Sequence, residues 1–253
     1  MKQIADFKLV EKQDFGRSVL LKLRSENALP EILPGQFVQV RVDGSPSTYL
    51  RRPISIHDVD YDRQEISLLV QIVGEGTRHL SMTSLGDTLN LVLPLGNGYT
   101  LPEQGEKVLL VGGGIGIAPL FYLAKCMAAK GVKPMFLLGG KSASDLVMLD
   151  VYGRLGVTHV TTEDGTLGEK GMVTGHSVWK EGRFDKIYVC GPKRMMMAVA
   201  DIAKTNGIWC EVSLEHMMAC GLGACLCCVE DTTEGHLCVC KEGPVFNTRR
   251  LKW

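Results

Sequence analysis

The chain changes its hydrophobic period once, near Leu101, and that change limits its architecture more than any other feature. Before it, short β-branched segments alternate apolar and polar residues: SVLLKLRS, QFVQVRVD, EISLLVQIV and TLNLVLPL, separated by Pro-Gly, Asp-Gly and Gly-Asp pairs. Period-two segments bounded by turn residues predict an antiparallel β-barrel or sandwich. After TLPEQGEK, strand-like runs alternate with helical ones: KVLLVGG, APLFYLAKCMAAKG, PMFLLGG, VTHVTTED, DKIYVCGP and KRMMMAVADIAKTNG. That alternation predicts a parallel sheet with crossover helices. The expected division is a β-barrel domain over 1–101, a Rossmann-like α/β domain over 102–212 and a cysteine-rich segment over 213–253.

The third segment cannot order itself by burial. It is short and glycine-rich, and six of the nine cysteines fall within the last 34 residues, so a metal is expected to supply its order. The N-terminus, MKQIADFKLVEKQDF, is charged throughout and lacks the apolar core of a signal peptide, which points to a reducing cytoplasm where disulfides are rare. Cys220-x4-Cys225-x2-Cys228, with a further cysteine downstream, has the spacing of plant-type [2Fe–2S] ligation, whereas structural zinc favours paired C-x-x-C knuckles. Gly221 and Gly223 suit a loop that turns its amides toward sulfur. For the fourth ligand Cys238 and Cys240 both stand: two apart on an extended strand, they would share a face. Cys227 is read as packing, Cys126 and Cys210 as small core residues, and His216 and His236 as incidental.

Lysine plus arginine equals aspartate plus glutamate, 28 of each, so no overall positive field draws the chain to nucleic acid or an anionic membrane. The most apolar run, Val108 to Ala124, carries four glycines and a proline in its middle and reads as strand, tight loop and helix. Within it, Gly112, Gly113, Gly114 and Gly116 follow a strand expected to end at Val111, and a helix begins near Ile117 with Pro119 in its first turn. Such a loop lets backbone and helix amino terminus approach a pyrophosphate. It also occurs as a plain tight turn, and a proline stands where the usual fingerprint has its third glycine. YLRRPISI offers Arg52 to a diphosphate and Ser55 to a flat ring, or is an ordinary edge strand. GEGT, Gly74 to Thr77, is a turn or a phosphate nest. YVCGP places Cys190, Gly191 and Pro192 at a strand end, on the carboxyl edge where parallel sheets bind ligands.

In this order, RRPIS, GEGT, GGGIGIAP, CGP and ACGLGACLCC…CKEGPVF resemble the ferredoxin–NADP reductase superfamily over essentially the whole chain, and the cysteine segment running into CKEGPVF is most similar to the electron transfer subunits of bacterial dihydroorotate dehydrogenase B. The resemblance implies FAD held by Arg52, Pro53, Ile54 and Ser55, by Leu69, Val70 and Gln71, and by Gly76 and Thr77 at its phosphate. It implies NAD at Gly112, Gly113, Gly114, Gly116, Cys190, Gly191 and Pro192, although LLGGKSASD lacks the acidic residue expected after a classical NAD fingerprint and Lys141 could meet a 2′-phosphate. It selects Cys240 over Cys238 as the fourth cluster ligand, beside Cys220, Cys225 and Cys228. It further implies an oxidoreductase subunit of pyrimidine biosynthesis without a dihydroorotate site of its own. Electrons would come from an FMN-containing catalytic partner, in an assembly of two copies of each subunit, and pass through the cluster and FAD to NAD+. Two rival readings remain: a related reductase subunit serving a hydrogenase or ferredoxin-dependent enzyme, and a zinc-stabilised binding module without redox chemistry.

Overall fold

The computed structural model of the chain describes residues 1–180 and 182–253. By contact they divide into two units: Met1–Gly98 with Glu215–Glu230 and His236–Pro244, and Tyr99–Leu214 with Asp231–Gly235 and Val245–Trp253.

In the first unit six strands close into a barrel: β1 (Gln3–Asp14), β2 (Ser18–Ser25), β3 (Phe37–Val40), β4 (Arg52–Asp60), β5 (Glu65–Gln71) and β6 (Thr88–Leu95), in the order β1-β2-β5-β4-β3-β6. Every neighbouring pair is antiparallel, and β1 pairs with both β2 and β6, so no edge is left. RRPISI is therefore no edge strand: it opens β4, between β3 and β5. Phe7, Leu21, Ile56, Leu68 and Leu91 are fully buried; each contributes about 1.5–3 kcal/mol relative to exposure. All four residues of β3 are buried, Val38 and Val40 on one face and Phe37 and Gln39 on the other, so both its faces are covered. GEGT opens a helix, α1 (Glu75–Met82), rather than a free turn: the Thr77 hydroxyl accepts the amides of Val73 and Gly74 at 3.0 and 3.1 Å.

The second unit carries a sheet made from β7 (Val108–Gly113), β8 (Met135–Gly140), β9 (Val157–Thr162), β10 (Glu169–Lys170), β11 (Lys186–Cys190) and β12 (Trp209–Ser213), all parallel. Its helices are α2 (Ala118–Ala129), α3 (Leu149–Gly153) and α4 (Lys193–Thr205). Leu109, Leu110, Val111, Phe136, Leu137, Leu138, Ile187 and Val189 are wholly buried, the continuous apolar run expected of parallel strands covered on both faces. The run Val108–Ala124 divides into β7, one 3-10 turn at Gly114–Ile117 and α2, so the strand continues two residues past Val111.

Beyond β12 come a two-stranded hairpin, β13 (Val229–Thr232) and β14 (Gly235–Cys238), then α5 (Val239–Glu242) and β15 (Val245–Asn247). β15 pairs antiparallel with β12 and completes the order β10-β9-β8-β7-β11-β12-β15, so by contact the last nine residues join the sheet unit. Among the described residues no helix is long and apolar enough to cross a membrane.

Candidate functional site

The cysteine segment is fastened to the barrel of the first unit. The Asn97 amide donates to the Gly243 carbonyl at 2.6 Å and its side chain to the Glu242 carbonyl at 2.9 Å. Gly96 is required there, because a Cβ would stand 2.5 Å from Pro244 Cδ and 2.6 Å from Gly243 O. This holds α5 on the barrel, with Val239 and Cys240 fully buried.

The loop from Cys220 to Cys228 turns through left-handed backbone at Gly221, Gly223 and Leu226 (φ +70°, +85° and +57°). Its amides point at sulfur: Leu222 N–H donates to Cys220 Sγ at 3.3 Å and Gly223 N–H to Cys240 Sγ at 3.1 Å. The Cys240 amide in turn donates to Cys228 Sγ at 3.3 Å. The thiols of Cys220, Cys225, Cys228, Cys238 and Cys240 lie near enough to shift one another, Cys225 lowering the pKa of Cys220, and burial with Cys228 raising those of Cys240 and Cys238. The Leu222 amide, with those of Cys225 and Ala224, brings the Cys220 thiol down to about 6. Burial, then the neighbouring Cys228, pushes Cys240 up to about 12. Among the described residues no three His, Cys, Asp or Glu side chains are placed to hold a single metal ion. Neighbouring thiols beneath donating amides suit a two-iron cluster, which takes two cysteines per iron and tolerates anionic sulfur through such amides.

Two expectations change here. Cys238 and Cys240 do not share an extended strand, since α5 begins between them: Cys238 ends β14, its amide donating to Glu242 Oε2 at 2.9 Å, while Cys240 faces Cys228. Cys227 is exposed, its sulfur 3.5 Å from the Met217 carbonyl, so it does not pack in a core. His216 is occupied by Glu230 at 2.8 Å. Cys210 is buried, as read, whereas Cys126 is only half-buried.

On the barrel, Arg52, Pro53, Ile54 and Ser55 are all half-buried, a strip of strand neither in the core nor open to water. The stem of Arg52 lies against the first turn of α1: a Cβ on Gly76 would meet Arg52 Cδ and Thr48 Cγ2, each at 3.1 Å. The two motifs read separately in the sequence thus adjoin. Glu75, in the same turn, is held by the Ser45 and Ser47 hydroxyls, which lower its pKa, Ser47 most. Thr77 spends its hydroxyl on the loop, leaving backbone rather than side chain for a phosphate. Leu69 and Val70 are buried and only Gln71 is exposed.

In the second unit the strand order departs from β7 in both directions, through β8 on one side and β11 on the other, which makes the β7/β11 boundary a topological switch point. Gly112 and Cys190 are register partners there, so the loops Gly113–Gly116 and Gly191–Pro192 leave adjacent carboxyl ends. Gly116 packs on the other strand's end: a Cβ would lie 2.4 Å from Cys190 O and 2.7 Å from Gly191 Cα. Gly114 has φ +53° with open space around it. Sequence reasoning missed four residues. Tyr152, fully buried, donates its hydroxyl to the Ile117 carbonyl at 2.8 Å and fixes the turn. Lys193 and Arg194 occupy the first turn of α4, where the helix dipole opposes cations unless an anion is present; a basic pair directly after CGP was the available signal. After β8, Asp145 accepts the amides of Lys141 and Ser142 at 3.0 and 3.1 Å, so its carboxylate serves the loop.

A closed antiparallel barrel, a parallel sheet with a glycine loop at its switch point and a cysteine loop of this form define a ferredoxin reductase-like oxidoreductase. The family model describing the iron–sulfur cluster binding domain of dihydroorotate dehydrogenase B matches residues 215–252. The chain is 43% identical over 217 residues, 84% of each protein, to the dihydroorotate dehydrogenase B (NAD(+)) electron transfer subunit of Caldanaerobacter subterraneus subsp. tengcongensis. With that of Listeria monocytogenes it shares 37% identity over 98% of each protein. A solved NADH-dependent reduced ferredoxin–NADP oxidoreductase, studied for flavin-based electron bifurcation, superposes with a TM-score of 0.87 at 30% identity, over 98% of this chain and 90% of that one. The ferredoxin reductase of carbazole 1,9a-dioxygenase, at 19% identity, 82% and 67% coverage and a TM-score of 0.70, shares the fold. The chain belongs to the family of dihydroorotate dehydrogenase B (NAD+) electron transfer subunits.

Proposed function

We propose that the chain delivers the electrons of dihydroorotate oxidation, carried out on a separate catalytic subunit, to NAD+ in the pathway to pyrimidine nucleotides. The observation that carries this is the set of amides aimed at Cys220, Cys228 and Cys240 within a chain of this family. Cys220, Cys225, Cys228 and Cys240 are the residues that would hold a [2Fe–2S] cluster. Arg52 to Ser55, Leu69 to Gln71, Gly76 and Thr77 would hold FAD, and Gly112 to Gly114, Gly116 and Cys190 to Pro192 would hold NAD. When bound, FAD supplies exchange between the hydride of a nicotinamide and the single electrons of an iron–sulfur centre.

The chain's own residues position and neutralise. Arg52 packs its stem on Gly76 in the first turn of α1, and a cation on that stem suits a pyrophosphate. Lys193 and Arg194 lie at the α4 amino terminus next to Pro192, and their charge complements a dinucleotide. Leu222 and Gly223 offset negative charge on sulfur with their amides.

The barrel over 1–101 is read as the FAD domain, 102–212 as the NAD domain and 213–253 as the cluster segment. Met217, Leu222 and Leu226 are exposed apolar residues beside the ligand cysteines, which supports a partner docked over this loop. We place the assembly in the cytoplasm, whose reducing poise keeps six neighbouring thiols available for iron, with two copies of each subunit. NAD is preferred to NADP on the family's name, since the Lys141 loop is closed on itself by Asp145.

The test is dihydroorotate-dependent NAD+ reduction by this chain combined anaerobically with the catalytic subunit from the same organism. Turnover that requires both proteins supports the reading. Its absence, with cofactors loaded, the catalytic subunit active towards an artificial acceptor and NADH-to-dye activity intact, would leave a flavin reductase that serves another partner.

A further inference from the structure

Gln39 is a buried carboxamide without a use in the fold. It is 1% exposed, and among the described residues neither Nε2 nor Oε1 has a hydrogen-bond partner. Buried amides are almost always bonded, because the lost hydration is otherwise uncompensated. An apolar residue of the same size would fill the position in β3 better, unless the amide meets something bound there.

Its surroundings identify what that is. On β3, Gln39 shares a face with Phe37 and lies opposite Pro53 and Val92. The backbone covering it is Gly221, where a Cβ would stand 2.9 Å from Gln39 Cγ and 3.1 Å from Nε2. Gly221 follows Cys220 directly and precedes Leu222, whose amide already donates to Cys220 Sγ. The glycine serves two needs at once: its φ of +70° turns the loop, and its missing side chain lets the carboxamide reach the backbone that presents the first ligand cysteine.

We propose that Gln39 is a positioning residue of the iron–sulfur site, its side-chain amide donating a hydrogen bond to sulfur at the Cys220 end of the cluster and raising the cluster's reduction potential. The inference rests on the iron–sulfur reading of the cysteine loop. An N–H donor at sulfur favours the reduced cluster, which carries one more negative charge, over the oxidised one. Only the donor end of the amide can serve. Substitution by Glu, which replaces the donor with an anion, must therefore act in the same direction as removal of the amide and further.

The experiment is an anaerobic potentiometric titration of the holoprotein, following the cluster by the electron paramagnetic resonance of its reduced form and FAD by its visible absorbance, in wild type, Q39M and Q39E. Met is unbranched and close to Gln in volume, so Q39M keeps the packing against Gly221 and decides the matter whether or not Q39E loads. The expected result is a cluster potential more negative in Q39M than in wild type, more negative again in Q39E, with the FAD potential unmoved and iron content preserved in Q39M. A cluster potential in Q39M equal to wild type, or a shift confined to FAD, overturns the inference. Wild-type protein without iron and acid-labile sulfide would instead overturn the cluster reading itself.

Discussion

Gly116 is the residue whose replacement tests the switch-point geometry most directly. A Cβ there would stand 2.4 Å from Cys190 O, 2.6 Å from Cys190 C and 2.7 Å from Gly191 Cα, and all three atoms are backbone. Ordinary contact requires a separation greater by about 1 Å, and no flexible side chain can yield, so the loop after β7 or the end of β11 must move. Overpacking of this kind costs about 1–3 kcal/mol. With a urea m-value of about 2 kcal/mol/M, the midpoint of unfolding would fall by about 0.5–1.5 M. Trp179, Trp209 and Trp253, the only tryptophans, all lie in the second unit, so their fluorescence reports on this unit. Gly175→Ala is the control: the site is open and its φ is not positive, so Ala is expected to be neutral or stabilising by about 0.4–1 kcal/mol. Dinucleotide affinity should fall with Gly116→Ala and stay unchanged with Gly175→Ala. If Gly116→Ala unfolds within about 0.5 kcal/mol of wild type and binds NADH normally, the close approach is not what requires glycine.

Four further outcomes are expected. Cys240→Ser should lose the cluster, read as iron and acid-labile sulfide, while Cys238→Ser keeps it; the reverse result would exchange their roles. Arg52→Ala should weaken FAD retention by roughly 10- to 100-fold, the equivalent of a charged hydrogen bond of about 1.5–3 kcal/mol, and full FAD at unaltered affinity would remove Arg52 from the pyrophosphate. Burial raises the Glu211 carboxyl above its ordinary value, against the opposing Thr100 amide and hydroxyl, which donate at 2.9 and 2.8 Å. Its contribution to stability is therefore complete below the usual glutamate pKa of about 4.3 and is lost as pH rises through the raised value; Glu211→Gln should flatten that slope in urea titrations followed by tryptophan fluorescence. Met217→Lys should weaken association with the catalytic subunit by roughly 5-fold or more, as loss of an apolar contact worth about 1 kcal/mol would, with iron content unchanged; equal affinity would move the docking surface elsewhere.

The barrel and the parallel sheet were legible because each rests on local pattern. SVLLKLRS and TLNLVLPL coincide with β2 and β6, and the run from Val108 resolves into strand, turn and helix where glycine and proline punctuate it. VFN was harder to place. Val245, Phe246 and Asn247, just past the last cysteine, carry no sign that they will pair with β12, because the partner strand is remote in sequence. GEGT was ambiguous for a related reason: Thr77 can cap a helix or face a ligand, and only the amides of Val73 and Gly74 show which its hydroxyl does.

By itself the sequence determined the two-part architecture, the order of the motifs and the cysteine spacing, since hydrophobic period, backbone permissiveness and ligand intervals are properties of neighbours along the chain. Tertiary structure alone decided how equivalent residues divide their tasks. Gly114 is free and left-handed whereas Gly116 is pressed against Cys190, though both stand in one glycine run. Cys238 ends a strand with its sulfur 3.9 Å from the Gly223 carbonyl, whereas the Cys240 amide donates to Cys228 Sγ, because α5 starts between them. Gln39 looks like any polar residue in an alternating strand until Gly221 closes over it. Each of these depends on which distant backbone arrives within about 3–4 Å, the range over which packing and hydrogen bonds act, and no local pattern encodes that arrival.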